Sequence, residues 1–279
     1  MKIVGICRFS LVGRGDWRET RKRSLAEVRA MASDRASMLF APERMEARLA
    51  TFEHLTLASL QAQTDPDFTF LVLASDLMPQ DYKDRLQALC AQLPQVVLRY
   101  FPVTPVPAAQ KSAFNELGIV FADTLQFRLD DDDCICADYI EVMRRHTRGL
   151  MNAPDPFVAS LTGVMLSSLT GPLAGVYDWP VPYYSAGAAM RHPTDGIYQR
   201  GHFGMSRWFL SLTIPRGMAL VTHNSTNDTT LPAPGQIERG EMSRMTPEQV
   251  EKAQERYFPF LTETGKRIAG LTEAAAPVA

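Results

Sequence analysis

Four short apolar segments alternate with longer helix-like stretches in the first half of the chain. The four are KIVGICRF (2–9), DFTFLVLAS (67–75), QVVLRYF (95–101) and TLQFRL (124–129). The second is apolar from Phe68 to Ala74 apart from Thr69, which is typical of a strand covered on both faces. Strands that alternate with helices predict an α/β fold, with a parallel, doubly wound sheet between helical layers.

The stretches between these segments carry helix signals. Segment 42–63 has Pro42 near its start, where proline suits the first helical turn. One stripe with three- and four-residue spacing runs through it, formed by Met45, Leu49, Phe52, Thr56 and Leu60. Segments 80–93 and 107–122 are also predicted helices. Segment 137–151 is predicted to begin with a capping box, because Asp138 and Glu141 have its spacing.

The chain divides into three regions by composition. Residues 1–150 form one continuous strand–helix unit with short linkers. Residues 151–245 are rich in Gly, Pro and aromatic residues, as in GPLAGVYDWPVPYYSAG, and are predicted to complete the sheet of the same domain and to add long loops. Residues 246–279 are predicted to form a helical segment that begins at Thr246, followed by a frayed tail.

Composition restricts the classes of partner. The 279 residues carry a formal net charge of −2 and the pI is about 6.2, so no overall basic field favours nucleic acid or an anionic membrane. No apolar run reaches the roughly 18 residues that a membrane span needs, and MKIVGICRFS does not suit a signal peptide. The four cysteines, Cys7, Cys90, Cys134 and Cys136, lack metal-site spacing. We therefore expect free thiols in a cytoplasmic protein, and peripheral membrane contact stays open.

Polar residues follow three of the predicted strands. Arg8 ends the first strand, Ser75 and Asp76 end the second, and Asp130 follows the fourth. Open α/β sheets bind ligands at the carboxyl ends of their strands. The pattern therefore predicts a binding site along this edge. Solvent-exposed loops also place polar residues at strand ends, which is the alternative explanation.

The fourth strand leads directly into four consecutive carboxylates, Asp130 to Asp133. Two charges about 4 Å apart repel by roughly 1 kcal/mol in water and roughly 4 kcal/mol at an effective dielectric of 20. In extended backbone Asp130 and Asp132 would share a face, with Asp131 and Asp133 on the other. A D-x-D pair suits Mg²⁺ or Mn²⁺, which takes carboxylates together with substrate phosphates. The run therefore predicts a metal–diphosphate site, and Asp131 with Asp133 is the alternative pair.

The segments LTLASLQAQTDPDFTFLVLASD, KSAFNELG and LQFRLDDDDCICADYIEVM together resemble nucleotide-sugar glycosyltransferases of the GT-A fold. More narrowly, CRFSLVGRGDW, LTLASLQAQTDPDF and FRLDDDD are similar to a bacterial rhamnosyltransferase family. The resemblance implies a GT-A-like (Rossmann-like) α/β class with a mixed, mostly parallel sheet flanked by helices and a loop-rich acceptor half. It also implies metal-dependent transfer of a sugar, rhamnose in the narrower family, from a nucleotide-sugar donor to a carbohydrate or glycolipid acceptor.

The resemblance implies roles for particular residues. Asp76 would contact the base or ribose, and Arg8 would lie beside the nucleotide. Asp132 would be the more direct metal ligand, and Asp130 would lean toward the ribose or a metal-bound water. GT-A enzymes often add a late histidine ligand, for which LVTHNSTND offers His223. In the same loop Asn224 and Asn227 would bond a sugar or phosphate, although asparagine also forms turns there.

The acceptor side is less defined. Inverting transfer needs a carboxylate within hydrogen-bond reach of the acceptor hydroxyl. Asp178 and Asp195 lie in the region concerned, and Asp195 is the preferred base, although its DG dipeptide also favours a plain turn. Nearby aromatic residues predict either a sugar-binding groove or packing at the edge of the hydrophobic core. They are Tyr177, Trp179, Tyr183, Tyr184 and Trp208. His192 and His202 lie in the same stretch.

Two other functions use the same features. A nucleotidyl or phosphoryl transferase would use the same metal site and release pyrophosphate or phosphate. A non-catalytic carbohydrate-binding module would bind without turnover. The intact aspartate run favours an enzyme over the module.

Overall fold

The computed structural model describes residues 1–13, 23–223 and 232–272, except for the side chains of Leu25 and Arg216. One sheet of ten strands runs through it. The strands are β1 (Lys2–Phe9), β2 (Thr69–Ser75), β3 (Val96–Phe101), β4 (Thr124–Arg128), β5 (Asp133–Ile135), β6 (Phe157–Ser168), β7 (Gly175–Pro180), β8 (Ala189–Arg191), β9 (Leu210–His223) and β10 (Ser243–Arg244). The main path through the sheet has the order β10-β7-β6-β8-β4-β1-β2-β3.

The first four strands are parallel to one another. β1 lies between β2 and β4, and β3 pairs with the outer side of β2. All four carboxyl ends therefore point to the same edge of the sheet. The predicted strand–helix alternation is confirmed in this half of the chain.

The second half completes the sheet. β6 pairs in parallel with β9, and these two are the longest strands. β8 is antiparallel to β4 and β6, and so joins the two halves of the chain within one sheet. β7, β10 and β5 add antiparallel pairs. Most paired residues lie in parallel ladders, so the predicted mixed, mostly parallel sheet is confirmed.

Helices flank the sheet. They are α1 (Leu25–Ala30), α2 (Ala32–Leu39), α3 (Pro42–Thr51), α4 (Ala58–Gln61), α5 (Gln80–Cys90), α6 (Val106–Glu116), α7 (Tyr139–Thr147), α8 (Pro234–Glu238), α9 (Pro247–Tyr257) and α10 (Glu263–Ile268). None of the helices in the described ranges combines the length and apolar character that crossing a bilayer requires. The four cysteines are buried and free, as predicted.

The two sheet faces carry separate apolar cores. Along β1, Cys7 and Phe9 face the larger core, which includes α3 and α7. Val4 and Ile6 face the smaller core, which includes α6. Alternation along β4 likewise places Phe127 in the larger core and Gln126 against Gln110 of α6. Neighbouring residues of β1 and β4 therefore face opposite cores.

Three helix predictions need correction. The predicted helix 42–63 contains a π-helical segment, Phe52–Leu57, between α3 and α4. The capping box predicted at Asp138 is wrong, because the Asp138 side chain makes no cap bond and Glu141 instead accepts a hydrogen bond from Thr64. The C-terminal segment does begin at Thr246, which caps α9, but it is divided into α9 and α10.

Candidate functional site

Three predicted site residues lie at the shared edge of the parallel strands. Arg8 is half-buried at the end of β1, and Asp76 is exposed after the end of β2. Asp130 follows β4 and is also half-buried. The Asp76 backbone N–H donates to the Phe101 carbonyl, which fixes the turn after β2. The parallel order thus brings these side chains to one rim, as the sequence predicted.

The aspartate run does not continue as an extended strand. Asp131 and Asp132 form a turn, and the Asp133 N–H donates to the Asp130 carbonyl at 3.4 Å. The predicted alternation of Asp130 with Asp132 on one face is therefore wrong, because it assumed extended backbone. Asp131, Asp132 and Asp133 are each at most 4% exposed.

Arg48 of α3 compensates this buried negative charge. Its Nη1 lies 2.7 Å from Asp131 Oδ1 and 2.8 Å from Asp132 Oδ2. Burial lowers the pKa of Arg48, but the surrounding aspartates outweigh that effect and raise the pKa above its usual value. The guanidinium is therefore permanently charged. Arg48 was not among the residues predicted from the sequence. The available signal was a charged residue three positions after Met45 and four before Phe52, beside the apolar stripe.

Two threonines of the same helical stretch hold the backbone of the aspartate turn. Thr51 Oγ1 donates to the Asp131 carbonyl at 3.1 Å. Thr56 Oγ1 lies 3.2 Å from the Asp130 carbonyl and 3.0 Å from the Asp133 carbonyl. In an unbroken α-helix Thr56 would point about 80° away from Arg48, eight residues on. The wider π turns reduce that rotation, which explains the π segment at this point.

Strand β9 covers the other side of the turn. Thr222 Oγ1 donates to the Asp132 carbonyl at 2.8 Å, and its N–H donates to Asp133 Oδ1 at 3.3 Å. Burial and the charges of Asp132 and Asp130 raise the pKa of Asp133 well above its usual value, only partly offset by Thr222 and Arg48. His223 follows Thr222 and is buried, and burial together with the Arg48 charge lowers its pKa. His223 is therefore a neutral imidazole beside the turn.

A second buried arginine lies on the opposite face of the sheet. Arg128 of β4 donates through Nη2 to the carbonyls of Ile197 and Arg200, and its guanidinium stacks 4.3 Å from the Tyr198 ring centroid. The Tyr198 hydroxyl donates to the Ile6 carbonyl at 3.1 Å. Segment 197–200 is thereby held over the ends of β1 and β4.

Tyr184, Trp179 and His202 form an aromatic cluster, and Tyr184 lies within the electrostatic influence of the aspartates. Burial, followed by the charges of Asp133, Asp130 and Asp132, raises the pKa of Tyr184, so its hydroxyl stays neutral. The Tyr184 ring lies 5.2 Å from Trp179 and 5.7 Å from His202. Burial and the Arg128 charge lower the pKa of His202 to about 4, partly offset by Asp130. Trp208 is exposed farther along this stretch, and Tyr177 and Tyr183 are buried in the cores.

The structure does not bring the candidate bases to the aspartate turn. The Asp195 carbonyl accepts a hydrogen bond from Gln126, which precedes Asp130 by four residues, about 13 Å of strand. Its carboxylate faces His192 at 3.6 Å and Arg200 at 3.9 Å. Asp178 lies on β7 between two core residues, so its side chain points to the opposite face. Asn224 and Asn227 lie outside the described residues.

The donor chemistry at the turn suits a hard divalent cation. Asp130 and Asp132 supply carboxylates, and His223 supplies a neutral imidazole from the strand that bonds the turn. In the described part of the chain, however, no three His, Cys, Asp or Glu side chains are already grouped as a metal site. One of the predicted ligands, Asp132, is instead paired with Arg48. The residue types fit the cation, and the positive charge of Arg48 beside Asp132 opposes its binding.

A protein-family model described as "Putative rhamnosyl transferase" matches residues 2–236 of the chain. The chain belongs to this glycosyltransferase family. The resemblance of its strand-end motifs to that family is therefore confirmed. No curated protein matches the sequence significantly.

Solved structures give more distant likenesses. S. aureus TarS is 12% identical over 61% of this chain and 22% of its own, with a TM-score of 0.32. TarS 1–349 in complex with UDP-GlcNAc is 12% identical, covering 63% of this chain and 37% of its own, with a TM-score of 0.31. The chain thus spans less than two fifths of either TarS chain.

A Bacillus anthracis structure spans most of the chain. It is described as a "Putative Glucose-1-Phosphate Thymidylyltransferase" in complex with a sucrose, and it is 12% identical over 95% of this chain and 99% of its own, with a TM-score of 0.37. At these identities and scores, none of the three structures carries information on substrate or residue roles.

Proposed function

We propose that the protein transfers rhamnose from a nucleotide-sugar donor to an acceptor hydroxyl, with Mn²⁺ or Mg²⁺ bound at the aspartate turn. The observation that carries the proposal is the position of that turn. In a chain of a rhamnosyl transferase family, four consecutive carboxylates begin just after β4, at the edge where the parallel strands end and where α/β sheets bind nucleotides.

The donor would lie along the rim formed by β1, β2 and β4. Asp76, which is exposed, would accept hydrogen bonds from the base or ribose. Half-buried Arg8, at the end of β1, would supply positive charge beside the diphosphate. These roles use the carboxyl edge that β1, β2 and β4 share.

Asp130, Asp132 and His223 would hold the divalent cation. When bound, the cation offsets the carboxylate repulsion and stabilises negative charge on the departing nucleoside diphosphate. Thr51, Thr56 and Thr222 keep the turn in position through its backbone carbonyls, so that the carboxylates stay at the rim. The buried Asp133 carboxylate accepts a hydrogen bond from the Thr222 N–H and so links the turn to β9.

The acceptor would approach from the side of Tyr184 and His202. Both side chains stay neutral at pH 7, and aromatic rings with a polar tip suit sugar binding. The Asp195 carboxylate faces His192 and Arg200, and its carbonyl accepts a hydrogen bond from Gln126 of β4. The role of Asp195 as the base stays a prediction.

A donor screen tests the proposed function. Purified protein is incubated with several nucleotide-sugars, including dTDP-rhamnose, with Mn²⁺ or with a chelator, and products are separated by chromatography. We expect release of the nucleoside diphosphate, fastest from dTDP-rhamnose and suppressed by the chelator. Release of pyrophosphate would favour nucleotidyl transfer, and binding without turnover of any donor would contradict catalysis.

A further inference from the structure

We propose that Arg48 and the divalent cation compete for the Asp132 carboxylate, so that the cation binds as the Arg48–Asp132 ion pair opens. Arg48 stays anchored on Asp131 meanwhile. The inference rests on the metal site of the proposed function and adds to it the residue that regulates metal access.

One guanidinium nitrogen serves both carboxylates. Arg48 Nη1 lies 2.7 Å from Asp131 and 2.8 Å from Asp132, and all three side chains are at most 10% exposed. A carboxylate bound to a charged donor at this distance is a poor ligand for a second cation, because the two positive charges would repel at close range. Asp132 therefore binds a cation more strongly once it has left Arg48.

Opening this pair does not require the backbone to move. The carbonyls of Asp130, Asp131 and Asp132 are held by Thr56, Thr51 and Thr222 respectively. A rotation of the Asp132 side chain alone separates it from Nη1. Arg48 keeps its contact with Asp131, and so its charge remains neutralised within the core.

Arg48 also retains unused hydrogen-bonding capacity. Its Nε is buried and has no hydrogen-bond partner among the described residues. A guanidinium has five N–H donors, so it can strengthen its contact with Asp131 when Asp132 leaves. The arrangement has the two alternatives that competition needs: Asp132 bound to Arg48, or Asp132 bound to the cation.

Manganese binding to substituted proteins tests the competition. Mn²⁺ affinity is measured by calorimetry on wild type, Arg48→Gln and Arg48→Lys, without nucleotide. We expect the dissociation constant to fall about tenfold in Arg48→Gln, within the range typical of coupled binding events. Arg48→Lys keeps the charge but lacks the planar guanidinium. We expect its Mn²⁺ dissociation constant to lie between those of wild type and Arg48→Gln.

Arg85→Gln is the matched control. Arg85 also pairs with α3, through Glu46, but both side chains are exposed and the pair is not part of the aspartate turn. We expect wild-type Mn²⁺ affinity for this variant. Equal, measurable affinity in wild type and both Arg48 variants would overturn the inference and leave the proposed metal site intact. No Mn²⁺ binding by any protein would overturn both.

A measurement on the wild-type protein covers the case in which the Arg48 variants do not fold. Arginine side-chain N–H signals are followed by NMR during Mg²⁺ addition, since Mg²⁺ is diamagnetic. Asp131 and Asp132 protect the Arg48 guanidinium from exchange with solvent. As Mg²⁺ saturates its site, we expect the Arg48 N–H signals to shift and to exchange faster with solvent. Unchanged Arg48 signals at saturating Mg²⁺ would contradict the competition.

Discussion

Two buried arginines on opposite faces of the sheet have opposite electrostatic environments. Arg48 is 8% exposed and contacts two carboxylates, whereas Arg128 is 7% exposed and contacts backbone carbonyls and the Tyr198 ring. The pKa of Arg48 is raised because the aspartates outweigh burial. The pKa of Arg128 is lowered, because burial outweighs the contributions of Tyr198 and Asp130.

The difference shows that burial alone does not determine what a charged residue does. Arg48 neutralises the aspartate turn, so removing it leaves buried negative charge without compensation. Arg128 positions segment 197–200 by hydrogen bonds, so removing it leaves carbonyl groups without a donor. The first loss is electrostatic and large, and the second is local and smaller.

The largest expected effect is that of Arg48→Met. Removing one partner of a buried ion pair typically costs about 3–5 kcal/mol, because the remaining charge stays buried. We expect a loss of this size in the free energy of unfolding, measured by urea titration monitored by circular dichroism. A loss no greater than that of Arg85→Met, at an exposed pair, would show that the turn does not need Arg48.

Neutralising the carboxylates should reverse part of that loss. In Arg48→Met combined with Asp131→Asn and Asp132→Asn, no unpaired charge remains at the Arg48 contacts. We expect the combined variant to recover about 0.5–3 kcal/mol relative to additive single losses, the range for directly contacting residues. The same unfolding titrations supply this coupling energy, and strictly additive losses would argue against the ion pairs.

Arg128→Met is expected to cost less than Arg48→Met. It leaves the carbonyls of Ile197 and Arg200 without this donor, at about 1–3 kcal/mol for a buried unsatisfied group. The comparison of the two arginines predicts this order, which differential scanning calorimetry on both variants would check. An equal or larger loss in Arg128→Met would reverse the comparison.

Asp133 should give the smallest effect, seen as a pH dependence. Its folded pKa is raised above the ordinary 3.8, so its contribution to stability is full below that value. That contribution is lost as the pH rises from 3.8 through the folded pKa. Asp133→Asn keeps an oxygen for the Thr222 N–H and does not titrate, so its unfolding free energy should fall less over this range than that of wild type. Parallel pH profiles would contradict the prediction.

The local patterns of the sequence were sufficient for the strands and for the rim. Apolar runs that end in Arg8, Asp76 and Asp130 could be read directly, because the strand period and the carboxyl-edge rule are local or topological. Arg48 could not be found in this way. It meets Asp131 across 83 residues of sequence, and no local pattern indicates which strand end a helical arginine will reach.

The turn at Asp131 and Asp132 was missed for a related reason. Alternation of side chains holds only while the backbone is extended, and hydrogen bonds from Thr51, Thr56 and Thr222 favour a turn instead. Those donors come from 77 to 90 residues away, and Thr56 also lies in an irregular π segment. The position of the carboxylates at the end of β4 was therefore predictable, and the detailed geometry of the turn was not.

The account depends most on Asp132 as a metal ligand at a diphosphate site. Calorimetry of dTDP binding with Mn²⁺ compares wild type, Asp132→Asn and Asp131→Asn, since each substitution removes one contact with Arg48. We expect Asp132→Asn to weaken Mn²⁺-dependent binding by at least about tenfold, roughly 1.4 kcal/mol. Asp131→Asn should weaken it less, because it removes only the contact that holds Arg48 when Asp132 leaves. Unchanged affinity in Asp132→Asn, or an equal loss in Asp131→Asn, would contradict the account.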